Sequence, residues 1–442
     1  MQLTSTRDSR LRVGFKQAVL QNVPGDGGLF VPAELAPWPD VPALLALAWQ
    51  ERSAEILRRL LGSEYQPGEL DEIVREAFDF PAPLVAAAEG SFALELFHGP
   101  SLAFKDFGAR FLAAVLERLA ADARTVLTAT SGDTGAAVAA AFWRRPGVRV
   151  VVLYPEGRIA ALQERQLACL GENVLALAVQ GTFDDCQRLV RACFADPALA
   201  AELALISANS INVARLLAQV LYFFETVAQL RRLNMTGAVA ELHARGGRRL
   251  DEPPVIAVPS GNFGNLCAGL YARKLGLPVR TFVAATNANR TVPDFLDSGR
   301  YAQRPSVATL SNAMDVGDPS NWERIVHLHG GDWQALRRAL RWGSLDDLAT
   351  VEVLRRLWAA GYQADPHGAV AFGVLQAALQ PGETGIFLAT AHPAKFQEAL
   401  APLGLRPALP PRLAALLDRP LRRERLPADE PLLKARLRAG WG

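Results

Sequence analysis

The chain has 442 residues, half of them hydrophobic, with 47 basic and 45 acidic side chains that leave a net charge of +2. That length exceeds one ordinary core, so two or three domains are expected, and the scattered, nearly balanced charges give no footprint for nucleic acid or an anionic membrane. No apolar leader opens MQLTSTRDSRLRVGF and no later run is unbroken enough to cross a bilayer, which excludes a membrane partner and points to the cytoplasm. Cys169, Cys186, Cys193 and Cys267 lack CxxC or zinc spacing and are expected as buried free thiols.

In chain order, residues 1–80 read as a small, mainly helical unit, because VPALLALAWQERSAEILRRLLG and PGELDEIVREAF carry apolar residues at helical spacing. PAPL at 81–84 ends it. From SFALELF onward, short apolar runs alternate with alanine-rich helical stretches, the pattern of an α/β protein with mostly parallel sheets over 81–401. Within it TVLTATSGDTGAAVAAAFWRRPGVRVVVLYPEG predicts a strand at 125–129, a turn at 130–135, a helix to about 143 and a strand at 148–154. The smaller of two subdomains is expected to run from about 110 to 215. The stretch SINVARLLAQVLYFFETVAQL predicts a buried helix at 210–230, and 234–252 reads as an exposed polar excursion. A second unit of the same grammar places a strand at 255–258, a turn at 259–265 and a helix at 266–275. Residues 402–442, rich in Pro and Arg, are expected to wrap the surface.

Three stretches carry chemistry. SGNFGN at 260–265 brings several amides together ahead of a helix, a nest suited to a phosphate; it has neither GxGxxG spacing nor a P-loop lysine. TSGDTG at 130–135 offers Ser131, Thr134 and loop amides as a cradle for a carboxylate, and capping accounts for that pattern equally well. In SANSINVAR, Arg215 sits among apolar neighbours just after Asn209 and Ser210, where a guanidinium can grip an anion in bidentate fashion. The fourth feature is Lys105, in FHGPSLAFKDF. Only Lys16, Lys105, Lys274, Lys395 and Lys434 are lysines; every other basic residue is arginine. Arginine keeps its proton, whereas a desolvated lysine can shed it and react as an amine. A lysine at a loop-to-helix junction flanked by aromatic residues, a phosphate nest and a second anion cradle together point to pyridoxal phosphate, which needs an amine for its aldehyde and a nest for its phosphate.

These residues resemble the threonine synthases, pyridoxal-phosphate enzymes of the tryptophan-synthase-β-like fold (fold type II). The resemblance runs from STRD and PGDGGLFVP through ELFHGPSLAFKDFGARF, TATSGDTGAAVA, SANSINVARLLAQ, VPSGNFGNLCAGL and TLSNAMDVGDPSNWER to DPHGAVA and TAHPAKF, to about residue 400. It implies two mostly parallel α/β sheet domains with a small helical N-terminal domain. It further implies that Lys105 carries the cofactor and shuttles protons, and that Ser260, Gly261, Asn262, Phe263, Gly264 and Asn265 hold its phosphate. Thr390 would offer its hydroxyl to the pyridine nitrogen. Ser131, Gly132, Asp133 and Thr134 would receive the substrate carboxylate, and Asn209, Ser210 and Arg215 its phosphate. The implied reaction turns O-phospho-L-homoserine and water into L-threonine and phosphate in a site that closes between two domains.

Departures from the family pattern are few. Ser101 stands where threonine is commoner, and Glu156 where a basic residue is usual, which predicts weaker attraction for a phosphorylated substrate. The six histidines, HLH at 327–329 included, make no HExxH or similar set, and no metal is expected. Two other readings compete: a phospho-lyase or dehydratase on the same scaffold that yields 2-oxobutyrate, and a non-catalytic binding protein, against which the presence of Lys105 argues.

Overall fold

The computed structural model describes residues 1–119, 123–235 and 252–439. Its larger sheet has six strands in the order Leu340–Ser344, Thr281–Thr286, Val255–Pro259, Gly385–Ala389, Phe92–Glu95 and Leu84–Ala86. All neighbours are parallel except the last pair. The smaller sheet is wholly parallel, in the order Arg423–Pro427, Val174–Gln180, Val148–Pro155, Arg124–Ala129 and Leu205–Ser207. The central strands are runs of Val, Leu, Ile and Ala with both faces buried, as strands covered by helices on either side must be. The sequence therefore predicts the α/β architecture correctly.

The N-terminal segment pairs Leu3–Ser5 with Phe30–Pro32 and adds helices Phe15–Gln21, Val41–Ala46, Trp49–Leu61 and Glu69–Ala77. Of these, Glu69–Ala77 packs on Trp49–Leu61 and Lys105–Leu119, and the first three helices pack on the helix Val213–Met235, which starts three residues later and ends five later than expected. That helix is apolar and long enough to span a bilayer by composition alone, but 94% of its apolar window is buried inside the protein, so it is a core helix. Glu225 on it accepts from the wholly buried Arg52 of Trp49–Leu61, an ion pair that ties the N-terminal helices to the centre. Of the expected polar excursion, residues 236–251 lie outside the described ones.

The C-terminal segment departs from expectation. Instead of only wrapping the surface, Arg423–Pro427 adds an edge strand beside Val174–Gln180, and Glu430–Arg438 places Leu433 and Leu437 in the core of the smaller sheet. The strand hid because its composition, RERLP, puts charge on an exposed edge and buries Leu426 alone, so no apolar alternation marks it.

Candidate active site

Both strand–turn–helix units end at one cavity of about 950 Å³, at the carboxyl ends of Arg124–Ala129 and Val255–Pro259, where parallel sheets present ligand sites. Lys105 reaches it as the first residue of helix Lys105–Leu119. The helix is anchored by Phe107, whose ring packs against Phe80 at 4.8 Å and Tyr222 at 5.1 Å and is fully buried. The turn before it is pinned by Asp106, which accepts from the Ser101 amide at 2.9 Å. The Lys105 amine has no ion-pair partner among the described residues and lies 5.8 Å from the centre of the Phe104 ring. Burial pushes its pKa down to about 8; Asp133 works against that shift, while Arg215 and Lys395 add to it.

Across the cavity, helix Gly264–Lys274 begins two residues earlier than expected, with Phe263 in the left-handed region at φ 59°. The amides of Gly261, Asn262, Phe263, Gly264 and Asn265 find no partner among the described residues, and all five residues line the cavity. Asn265 adds a buried side-chain amide, Nδ2, with no partner, its Oδ1 being taken by the Tyr222 hydroxyl at 2.7 Å. Position 261 has to be glycine, because a Cβ there would sit 2.8 Å from the Ala313 carbonyl oxygen and 2.9 Å from Met314 Cα. A helix N-terminus with unspent donors suits a phosphate. Ser260 is the exception: its hydroxyl donates to the Val258 carbonyl and its amide to Ala285, so it braces the turn from below and does not line the cavity.

The turn before helix Asp133–Phe142 is organised differently. Thr130 Oγ1 accepts from the amides of Gly132 and Gly135 at 2.9 and 2.8 Å, leaving those of Ser131, Asp133 and Thr134 unpaired among the described residues. Ser131, Asp133 and Thr134 line the cavity; Gly132 does not. The Asp133 carboxylate is not free: Lys395 Nζ lies 2.8 Å from its Oδ1 and Gln163 Nε2 donates to it at 2.9 Å. Burial alone would raise its pKa, but Lys395 and Lys105 together hold it below the usual carboxylate range.

Arg215 is 3% exposed, donates to the Ala208 carbonyl, and leaves its Nε buried without a partner. No carboxylate pairs with it among the described residues, and burial lowers its pKa to about 10. Asn209 Oδ1 accepts from Thr128, which leaves its amide group to the cavity, and Ser210 Oγ accepts from Asn321 Nδ2 at 3.0 Å while keeping its own proton to donate. On the other wall Thr390 holds the loop that bears Lys105 through its carbonyl, which accepts from the Phe104 amide at 2.8 Å. Its hydroxyl has no partner among the described residues, and the residue lines the cavity.

Residues 79–390 match the family model for pyridoxal-phosphate-dependent enzymes, residues 2–78 that for the threonine synthase N terminus, and residues 368–436 that for the threonine synthase C-terminal region. A threonine synthase of Escherichia coli is 47% identical over 439 residues, covering 98% of both chains. The crystal structure of threonine synthase from that organism superposes with a TM-score of 0.91 over 99% of this chain and all of the other, at 46% identity. The chain belongs to the threonine synthase family. A pyridoxal-phosphate-bound threonine synthase from Brucella melitensis aligns with a TM-score of 0.89 at 33% identity, covering 99% of each chain. The C-terminal match extends the threonine synthase resemblance through the tail to residue 436, beyond the limit near residue 400 that the motifs alone mark.

Pyridoxal phosphate fits the residues present, since an unpaired lysine amine, five unspent amides with the orphaned Asn265 Nδ2, and an unpaired hydroxyl surround one cavity. Four positions of this threonine synthase site escape sequence reasoning. Lys395 and Gln163 hold Asp133; the sparse use of lysine was a signal for the first. His367 presents Nε2 to the Ala313 amide at 3.1 Å while its Nδ1 meets Asp365 at 2.6 Å, so the proton sits on Nδ1. Arg324, wholly buried, donates to the carbonyls of Phe30, Ser210 and Ile211 and so fixes the turn bearing Asn209 and Ser210. Glu156 is turned away from the cavity, to Arg425 at 2.6 Å and Arg423 at 3.6 Å; Arg158, two residues on, lines the cavity instead.

Proposed function

We propose that this enzyme converts O-phospho-L-homoserine and water into L-threonine and phosphate. The observation that carries the substrate is Arg215, a buried guanidinium without a counter-ion among the described residues. A buried cation is costly until an anion joins it, and the cofactor's own phosphate already has the nest at 261–265. A second anion site, with Asn209 and Ser210 beside it, therefore fits a phosphorylated substrate better than an unphosphorylated hydroxy amino acid.

In this reading Lys105 would carry the cofactor, and the amides of Gly261 to Asn265 would hold the cofactor phosphate. Thr390 would offer a hydroxyl, not a carboxylate, to the pyridine nitrogen, which would leave that nitrogen largely unprotonated. The free amides of Ser131, Asp133 and Thr134 take the substrate carboxylate. When bound, pyridoxal phosphate supplies an electron sink that makes protons on the adjacent carbons removable. The Lys105 amine would take and return those protons, and Arg215 with Asn209 and Ser210 would stabilise phosphate as it leaves. Within residues 1–80 the Phe30 carbonyl accepts from Arg324, which fixes the turn bearing Asn209 and Ser210; 81–401 would carry the catalytic groups; and within 402–442 the segments Arg423–Pro427 and Glu430–Arg438 complete the smaller sheet. The four cysteines are buried and none forms a disulfide, which supports a reducing cytoplasm.

Incubating the protein with pyridoxal phosphate and O-phospho-L-homoserine should release phosphate and threonine in equal amounts. Formation of 2-oxobutyrate in place of threonine would replace this reading with that of a phospho-lyase.

A further inference from the structure

Lys395 is the second buried lysine of the site, and the reaction as drawn does not use it. It sits in the short turn Pro393–Phe396, five residues after Thr390, with no side-chain exposure. Its ammonium donates to the Ser101 carbonyl at 2.7 Å and pairs with Asp133 at 2.8 Å. The same carbonyl accepts from Gln166 Nε2 at 2.9 Å, and the same carboxylate oxygen from Gln163 Nε2. One side chain thus joins the turn before Lys105, the carboxylate loop of the smaller sheet and the segment that carries Thr390.

The charged groups that act on Lys105 are Asp133, Arg215 and Lys395. A buried carboxylate holds its charge only beside a cation. Asp133 has two lysines near it, and the fold gives it Lys395. Left alone, it would capture the amine of Lys105, and a lysine locked in an ion pair is neither deprotonated nor free to attack. We propose that Lys395 is a positioning residue that occupies Asp133, so that the Lys105 amine stays unpaired and available to the cofactor. The proposal rests on Lys105 being the amine that bears pyridoxal phosphate.

The test follows covalent attachment of pyridoxal phosphate to the full-length, cofactor-stripped protein as a function of pH. It is read by visible absorbance and by borohydride trapping with peptide mapping. In the parent protein the rate should rise through pH 8 with the free amine of Lys105. Lys395→Met should move that rise upward by about one pH unit and slow attachment at neutral pH about tenfold. Adding Asp133→Asn should restore the parent profile, which no loss of packing would do. Because Lys395→Met alone leaves a buried carboxylate unpaired and is liable to unfold, Asp133→Asn/Lys395→Met, which removes both charges, is the control that should keep the parent profile. Asp133→Asn alone leaves Lys395 as an unpaired cation that lowers the pKa of Lys105, so its rise should lie at or below the parent's. An unmoved rise in Lys395→Met, a double variant whose rise stays above the parent's, or a rise in Asp133→Asn above the parent's would each overturn the proposal. Trapping at a lysine other than Lys105 would overturn the assignment of Lys105 as well, whereas an unmoved profile with trapping at Lys105 removes the role of Lys395 alone.

Discussion

The turns at 130–135 and 259–265 arise from the same grammar, an apolar strand, a glycine-bearing turn and an alanine-rich helix, yet they are finished differently. At 261–265 five backbone donors are unspent among the described residues, and the turn itself carries no acidic residue. At 130–135 Thr130 consumes two donors, and the one acidic side chain is drawn to Lys395. The donors of the first turn suit a dianion held tightly; the second offers fewer donors beside a neutralised pair, which suits a carboxylate that comes and goes. Side chains around a turn, more than the turn itself, decide what it binds and how tightly.

The most severe break is expected at Lys105, the amine proposed to carry the cofactor. Lys105→Ala should lower kcat by about 10⁴-fold or more and abolish borohydride trapping, with circular dichroism unchanged. The sign of its stability effect also follows. Lys105 has a pKa near 8 in the fold against an ordinary 10.5, so the unfolded chain binds the proton more tightly and burial of the ammonium costs stability below pH 8. The cofactor-free variant should therefore melt no lower than the parent at pH 7, and any advantage should fade as pH rises toward 10.5. A variant that melts well below the parent at pH 7 and recovers at high pH would contradict the depressed pKa.

Next in size is the third anion site. Arg215→Ala should raise KM for O-phospho-L-homoserine roughly 10–100-fold, the worth of a charged hydrogen-bonded contact, and weaken inhibition by inorganic phosphate in parallel. Affinity for pyridoxal phosphate should hold. A loss of cofactor affinity with KM unchanged would assign Arg215 to the first turn and erase the distinction between cofactor and substrate phosphates.

A paired substitution sharpens the contrast between the turns. Gly261→Ala drives a methyl group against the backbone at Ala313 and Met314, and should weaken cofactor affinity about tenfold. Gly132→Ala meets Gln163 at 2.4 Å with φ at +130°, a conformation that costs other residues about 1–3 kcal/mol. It should lower Tm and raise substrate KM while leaving cofactor affinity intact. Equal effects of both substitutions on cofactor affinity, measured by titration, would show that the two turns share one ligand.

The parts of this site that were legible in the sequence are those written locally. Strand, turn and helix around each anion cradle follow from apolar runs and glycine, and Lys105 follows from its rarity. Long-range side-chain choices were not legible. Asp133 and Lys395 are 262 positions apart, and no periodicity links them. Ser260 reads as one more phosphate donor until its hydroxyl is found on Val258, because a motif names residues and says nothing of rotamers. The edge strand Arg423–Pro427 went unread because its partner, Val174–Gln180, supplies the apolar face that the strand itself lacks.

Glu156 gives the smallest effect and the cleanest contrast with Arg215. Its sequence position, where a basic residue is usual, predicts a penalty on phosphate attraction, yet its carboxylate is held by Arg425 and Arg423 of the tail strand and lies off the cavity. Charges that far toward solvent are screened, and partly exposed ion pairs of this kind are worth about 1 kcal/mol or less. Glu156→Lys should therefore leave KM within about twofold of the parent. It should instead loosen the tail by setting three cations together, lowering Tm by a few degrees at low salt, with the loss shrinking as salt is added. A several-fold fall in KM with no change in Tm would mean that charge at this position is felt by the substrate in addition to that of Arg158 and Arg191, which line the cavity.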